Sequence, residues 1–539
     1  MSEPRNPMTR RRLLQTSAGA SAGVAATGWL GLTPGVAAAA LQEEEGVRGG
    51  ILRIGTIGEP ATLDQQTTTT FTSELLYPVL ETLFTYDSEY NTVPELVETH
   101  TVSDDGLVHT MALRQGVKFH TGEEMTAADV HASVMRWSEL SGVGTNLFAA
   151  VEEFVEVDDY TVEFRLTKPY GTILIALSHN TQACTIHPKA IMEAAGSTPF
   201  TDDSMVVGTG PYRFVERQPD AYIRLERFDD YISRDEPING YAGAKHAWVD
   251  QIEFIPVPDV AARVAGLQAG DYHYAMQIPN DQFEVLSNTP GVVAEIKPPT
   301  LFECFFLNWR SPLMGELKIR QAFQAALEHQ AILTAARGSD EFTELDPGWM
   351  MKQTVFYTTS GEEFYNMNDP ELARQLLEEA GYDGTPVRFM TTQEYPSFYA
   401  ASVIAQQQLE EAGFVIDLQV IDWATLLERR GQEGEWDVFC TSHGFVPDPS
   451  QITWVGQMGT YAGWYDSEAS KALAADLLAE TDFERRYEIW EELQHNAYTE
   501  IPSVKVGDAA EASYYSDQIG GWPISTERGV PYWNIWLKQ

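Results

Sequence analysis

Between residues 386 and 441 the chain switches repeatedly between two hydrophobic periods, and this alternation constrains the fold more than any other feature. Pro386 to Thr392 reads as a strand, Ser397 to Ala412 as a helix stopped at Gly413, and Phe414 to Ile421 as a strand. Ala424 to Arg430 reads as a short helix and Trp436 to Thr441 as a third strand. Strands separated by helices form βαβ units, and right-handed crossovers make the three strands parallel. Parallel strands end on one edge of the sheet, and ligands in open α/β sheets bind beyond those carboxyl ends. The loops Gln393-Glu394-Tyr395, Asp422-Trp423 and Ser442-His443-Gly444-Phe445 are therefore expected to converge on one crevice.

One core does not account for this length. The chain has 539 residues at 43% hydrophobic content, and single cores stop growing near about 250–300 residues, so two or more lobes are expected. The first forty residues read as an export address. Thr9-Arg10-Arg11-Arg12-Leu13-Leu14 resembles a twin-arginine motif, and Thr16 to Gln42 is uncharged but richer in Ala, Gly, Ser and Thr than in Leu or Ile. That suits a Tat signal better than a membrane span, which wants about 20 strongly apolar residues. Ala37 to Ala40 offer a cleavage site, so the mature chain is expected to begin near Leu41 after passing the Tat translocase. None of the three cysteines, Cys184, Cys304 and Cys440, lies in this stretch, so no lipoprotein anchor is expected. Their wide spacing gives no C-x-x-C or paired-Cys metal pattern.

The formal net charge is −44, and residues 1–40 hold four basic and one acidic side chain, so their removal makes the remainder three units more negative. Nucleic acid and anionic membrane surfaces are poor partners for such a chain. The acidity suits solubility in salt, or a field in a cleft that favours cationic solutes.

Residues 102–137 contain Val102-Ser103-Asp104-Asp105-Gly106, then Leu113-Arg114-Gln115-Gly116-Val117-Lys118-Phe119-His120, then Thr126-Ala127-Ala128-Asp129-Val130. Physically this is a β-hairpin with an Asp-Gly turn, followed by a helix begun at Thr126 with Asp129 three positions on, a variant capping box. Val130, Val134 and Trp137 follow at helical spacing. The segment resembles the signature of extracellular solute-binding protein family 5, which serves peptide, opine, nickel and oligosaccharide ABC importers. Further matches are the opening strand Gly49 to Gly55 with its loop Glu59 to Asp64, the turn Gly208 to Phe214, and Asn308-Trp309 through Phe323. That turn is no phosphate loop, because it lacks the lysine and the strand-to-helix context.

The resemblance implies an α/β fold of the two-lobed periplasmic-binding-protein (Venus flytrap) kind, of the large type, with an extra subdomain inserted in lobe 1. It divides the chain into a signal over 1–40, lobe 1 over 41–88, the inserted subdomain over 89–204, lobe 1 again over 205–300, lobe 2 over 301–500 and lobe 1 again over 501–539. Two connecting segments are expected near Pro298 to Asn308 and near Glu500 to Val506. From the residues alone, Tyr160 to Leu166 reads as a strand, and Asp369-Pro370 opens a helix that Gly381 closes, with Leu372, Leu376 and Ala380 down one face. The resemblance further implies a monomeric, exported, periplasmic or extracytoplasmic binding protein with no catalytic residue and no cofactor. Its partners are a small-molecule or peptide ligand and the transmembrane subunits of an ABC permease.

In the peptide-binding branches of the family, the loop after the last parallel strand presents an aspartate to the peptide's amine, and here Phe445 takes that place. The arginine that meets a dipeptide's carboxylate is matched by Glu394, and a buried anion does not hold another anion. A shifted alignment puts Asp448 at the amine instead. Glu394 beside Tyr395 suits a cationic or hydrogen-bond-donating solute, or is a solvated loop residue. His443 suits hydrogen bonding, because the eleven histidines show no H-x-x-H or H-E-x-x-H pairing and no metal site is expected. Trp423, Trp454, Phe445 and Phe71 offer stacking surfaces worth roughly 1–2 kcal/mol to a desolvated cation, with Phe302 a further ligand-binding candidate. Against 13 Trp and 24 Phe in the chain, any one aromatic is as readily core. Phe71 stands out because family members place an aromatic there, facing the cleft.

Two other classes have the same export signal. An exported hydrolase would need a nucleophile or metal motif, and G-x-S-x-G, S-x-x-K and H-E-x-x-H are missing. A binding protein coupled to a chemoreceptor would share the fold and differ only in what recognises its closed form.

Overall fold

The alternation over residues 386–441 becomes three parallel strands in the computed structural model, which describes residues 46–67, 70–179, 181–523 and 529–538. The export signal expected over residues 1–40 lies outside these described residues. Val387–Thr391 pairs in parallel with Ile416–Val420 on one side and Val438–Gly444 on the other. Helices Pro396–Glu411 and Trp423–Arg429 make the crossovers. The sheet continues antiparallel through Leu301–Leu307, Ser503–Ala509 and Thr343–Glu344, giving six strands.

A second sheet of seven strands is built on the opening strand Ile51–Thr56, which pairs in parallel with Gln251–Pro256 and Tyr274–Ala275. Tyr222–Arg227, Tyr212–Gln218, Ala512–Ser516 and Val292–Ile296 complete it. A third sheet holds the signature hairpin, Val97–Val102 and Val108–Leu113, with Thr161–Leu166 and Val151–Asp158. Helix Ala127–Leu140 packs on it through Val130, Val134 and Trp137, all fully buried. Its start is fixed as the spacing predicts: the Asp129 carboxylate accepts from both the N–H and the hydroxyl of Thr126, each at 2.9 Å.

The chain passes between the two larger sheets twice. One passage lies between Ile296 and Leu301, and the other between Ala509 and Ala512. They run side by side, with Lys297 N–H donating to Glu511 O at 2.9 Å and Thr300 N–H to Ala509 O at 3.0 Å. The second passage falls later than the expected 500–506, because Ser503–Ala509 stays in the six-stranded sheet, every residue buried. Its pattern hides this: Lys505 and Asp508 sit inside a buried strand and neutralise each other, Nζ to Oδ1 at 2.6 Å.

Asp369 caps helix Pro370–Ala380 by accepting from Leu372 N–H at 2.9 Å, and Gly381 ends it in the left-handed region at φ 68°. The deepest positions are Ala373 and Leu377, while the expected Leu372, Leu376 and Ala380 flank them half-buried. At the Gly208-Thr209-Gly210 turn the chain passes so close to Pro78 and Val79 that a Cβ would lie 2.4 Å from Val79 O at residue 208 and 2.5 Å from Pro78 O at residue 210. Only glycine permits that approach, which brings Thr209 beneath Glu81.

Candidate functional site

Two of the three loops expected to converge do meet directly. Glu394 is exposed, and its carboxylate accepts the N–H of Trp423 at 3.3 Å, where Trp423 opens the helix that Asp422 caps. The Tyr395 and Trp423 rings lie edge to face, 4.9 Å between centres. Tyr395 is 44% exposed, so this cluster forms a rim.

The third loop reaches the other lobe. Phe445, anchored by its N–H to Thr300 O at 2.8 Å, lies 4.3 Å from the ring of Tyr90. Tyr90 belongs to the turn Asp87-Ser88-Glu89-Tyr90-Asn91, on the lobe of the seven-stranded sheet. The Asp87 carboxylate accepts from the N–H groups of Glu89 and Asn91 and holds Tyr90 at φ 62°, an uncommon conformation for a bulky residue. Around this pair one apolar cluster joins both lobes: Tyr77, Tyr90, Tyr241 and Trp533 from one side, Phe302, Trp349, Phe445 and Trp454 from the other. A cleft walled by aromatic rings suits a solute with apolar, planar or cationic parts.

Several expected site residues are engaged elsewhere. Asp448 is fully buried and bound two-pronged to Arg486, Oδ2 to Nη1 at 2.9 Å and Oδ1 to Nη2 at 3.0 Å, while capping Ser450 N–H at 2.9 Å. It has no capacity left for a ligand amine, which removes the peptide-amine role for Asp448. Trp454 is buried in the second lobe, stacked on Trp490 with ring centres 6.0 Å apart and edge to face with Trp349 at 5.4 Å, and is core with no open face for stacking. Phe302 is 3% exposed and meets Trp349 edge to face at 5.4 Å. Phe71, half-buried on helix Thr70–Leu76, packs against the first-lobe core and not the cluster that joins the lobes.

His443 sits in the strand Val438–Gly444 rather than in the loop beyond it, opposite Phe302. Burial, aided by Arg430, pulls its pKa down to about 4, so the ring is neutral at pH 7. Nδ1 lies 3.2 Å from Thr453 Oγ1, and Nε2 is buried without a protein partner. That is a hydrogen-bonding histidine. Among the described residues no group of three or more His, Cys, Asp or Glu side chains is arranged to hold a metal ion, and the three cysteines are free buried thiols.

The first-lobe wall was not legible from loop positions in the parallel sheet. Tyr90 carried one signal, an aromatic inside a polar turn. Tyr241 and Trp533 carried none, because chain segments almost 300 residues apart create their proximity, with ring centres 6.5 Å apart.

Two sheet-based lobes crossed twice, with a shared aromatic cluster between them, define a two-lobed solute-binding protein. The chain belongs to the bacterial extracellular solute-binding proteins, family 5, whose model matches residues 91–494. It is a substrate-binding component of an ABC importer. It is 27% identical over 462 residues to a probable peptide ABC transporter periplasmic-binding protein of Sinorhizobium fredii, covering 82% of this chain and 85% of the relative. A glutathione-binding protein of Pectobacterium atrosepticum is 25% identical over 458 residues, with 82% and 85% covered. In fold the chain is similar to an ABC transporter substrate-binding protein of Listeria monocytogenes, with a TM-score of 0.77 at 23% identity, covering 91% of this chain and all of that one.

Proposed function

We propose that this chain captures a peptide-like or cationic small solute between its lobes outside the cytoplasm and delivers it to the transmembrane subunits of an ABC permease. In this reading it is exported through the Tat translocase, acts as a monomer and catalyses no reaction. The observation that carries the solute class is the junction of the lobes: an aromatic cluster joins them, Phe445 stands against Tyr90, and Asp448 is already paired. The Asp448 carboxylate of the second lobe is taken up by Arg486 and is not offered to a peptide amine. Closure is a population shift, so the solute must bind the closed form better than the open one.

A thermal-shift panel tests this, using di- to pentapeptides, polyamines, quaternary amines, opines, oligosaccharides and nickel-histidine. The expected result is stabilisation by a peptide or a cationic amine, about 2.7 kcal/mol at 100 times the Kd. A shift confined to oligosaccharides would overturn the solute class while leaving the transport role intact.

A further inference from the structure

Beneath the aromatic wall of the first lobe lies a buried group of charges that does not balance. Lys245 Nζ lies 3.1 Å from Glu81 Oε1 and 2.8 Å from Glu95 Oε1, and all three side chains are at most 4% exposed. Two carboxyl groups thus share one ammonium. Glu81 is otherwise fully engaged, accepting from Thr209 Oγ1 at 2.8 Å and from Tyr231 OH at 2.9 Å. Among the described residues the Glu95 carboxyl has only Lys245 and the neighbouring Glu81 carboxyl as partners.

This group borders a cavity of about 40 Å³, room for a water or an ammonium head. Gln65 also lines it, 2% exposed, with an Oε1 that has no hydrogen-bond partner among the described residues. A buried amide oxygen without a donor costs free energy until something supplies one. The remaining wall includes Tyr77, Tyr241 and Trp533, the rings that belong to the cluster joining the lobes. Lys245 already lies over the Trp533 ring, Nζ 4.6 Å from its centre. An unmatched carboxyl, an unpartnered carbonyl oxygen and aromatic rings all favour a positively charged hydrogen-bond donor.

We propose that this first-lobe cavity receives a primary ammonium group of the solute, held by Glu95 and Gln65 Oε1 with Tyr241 and Trp533 beside it. The inference deepens the solute-binding reading and rests on it. It moves the cation-recognising carboxylate from the exposed Glu394 on the rim to a buried one on the opposite lobe.

Binding has a proton balance. Burial, and then the Glu81 carboxylate, push the Glu95 pKa up to about 8, with Lys245 only partly offsetting them. At pH 7 Glu95 therefore holds a proton before a solute arrives. The groups around it are Lys245 and Glu81, with Tyr231 bonded to Glu81; Arg114 acts on Tyr231, His120 feels Glu81, and Arg234 donates to the Glu95 backbone carbonyl at 2.9 Å. An arriving ammonium lets Glu95 ionise, and its proton leaves to solvent. One cation enters and one proton departs.

The test is titration calorimetry on the full chain at pH 7 in two buffers of different ionisation enthalpy, with putrescine and the dipeptide Ala-Lys as probes. Maltotriose and N-acetyl-Ala-Ala serve as solutes without a primary ammonium. The variants are Glu95→Gln, Gln65→Leu and Glu394→Gln. Binding of an amine probe with proton release approaching one per site is expected. Glu95→Gln should weaken it about 30-fold or more and abolish the proton release, while Gln65→Leu weakens it less and Glu394→Gln leaves it unchanged. If Glu95→Gln fails to fold, the proton release of the unaltered chain and the Gln65→Leu affinity still decide. Amine binding without proton release, or unchanged in Glu95→Gln and Gln65→Leu, would overturn the inference. Binding of maltotriose but of neither amine would sink it while sparing the transport role, and binding of no solute of any class in the thermal panel would remove the solute-binding reading beneath it.

Discussion

Each lobe buries a carboxylate against a cation, yet the two arrangements differ in what they leave over. In the second lobe Asp448 and Arg486 meet one to one, fork to fork, and the N–H and hydroxyl of Ser450 donate to the same carboxylate. In the first lobe Glu81 and Glu95 share the single ammonium of Lys245 beside a cavity. A balanced buried pair is a structural tie, since its desolvation is offset by geometry and nothing is left to bind. An unbalanced one keeps a charge or a proton in reserve, and reserves of that kind mark functional sites. The comparison teaches that a buried carboxylate near a cleft is informative only once its partners are counted.

The most disruptive way to test the contrast is to remove the balanced carboxylate. Asp448→Ala leaves the Arg486 guanidinium buried and uncompensated, and chemical denaturation should show a loss of about 3–5 kcal/mol. The same change should leave the chemical class of bound solute as it was. If stability falls by less than ~1 kcal/mol, the pair is not the tie described.

The first-lobe group should instead reveal itself through pH. The Glu95 pKa lies near 8 in the folded chain against an ordinary 4.5. Its contribution to stability is therefore fully present below about 4.5 and is lost as pH rises through about 8. Glu81 has the opposite sign: despite its burial, Lys245 holds its pKa below the ordinary value, so it stabilises above about 4.5 and loses that effect in acid. Denaturant melts of the solute-free chain at pH 5, 7 and 9 should show declining stability towards pH 9, and Glu95→Gln should flatten that decline. An equal slope in the variant would assign the pH dependence to other groups.

The smallest effect belongs to the rim. Glu394 is exposed, and its carboxylate accepts a 3.3 Å bond from Trp423 N–H. Glu394→Ala should change stability by less than about 0.5 kcal/mol, read by the same melts, and should not alter the selectivity for amines. A loss of amine binding in this variant would return the cationic site to the second lobe.

Much of the architecture was readable from local patterns. The strand and helix periods of residues 386–441, the Thr126 and Asp369 helix starts and the Gly381 stop depend on neighbours a few residues away, and the structure places them within one or two residues of expectation, except that the third strand runs three residues past Thr441 to Gly444. The second passage between the sheets was misplaced because Lys505 and Asp508 look like surface residues until their mutual pairing is seen. Glu95 left a faint mark, a single carboxylate between Val93-Pro94 and Leu96-Val97.

By itself the sequence determined the parallel strands of the second lobe, the glycines where backbones must touch and the aromatic supply from which a cleft is made. Which aromatics face which, that Asp448 is paired with Arg486, and that Lys245 stands between Glu81 and Glu95, were decided only by the tertiary structure. The reason is physical. Periodicity and capping are set by bonds that span a few residues, whereas a buried charge acquires its meaning from partners brought in from 38 residues away for Asp448 and 164 for Glu81.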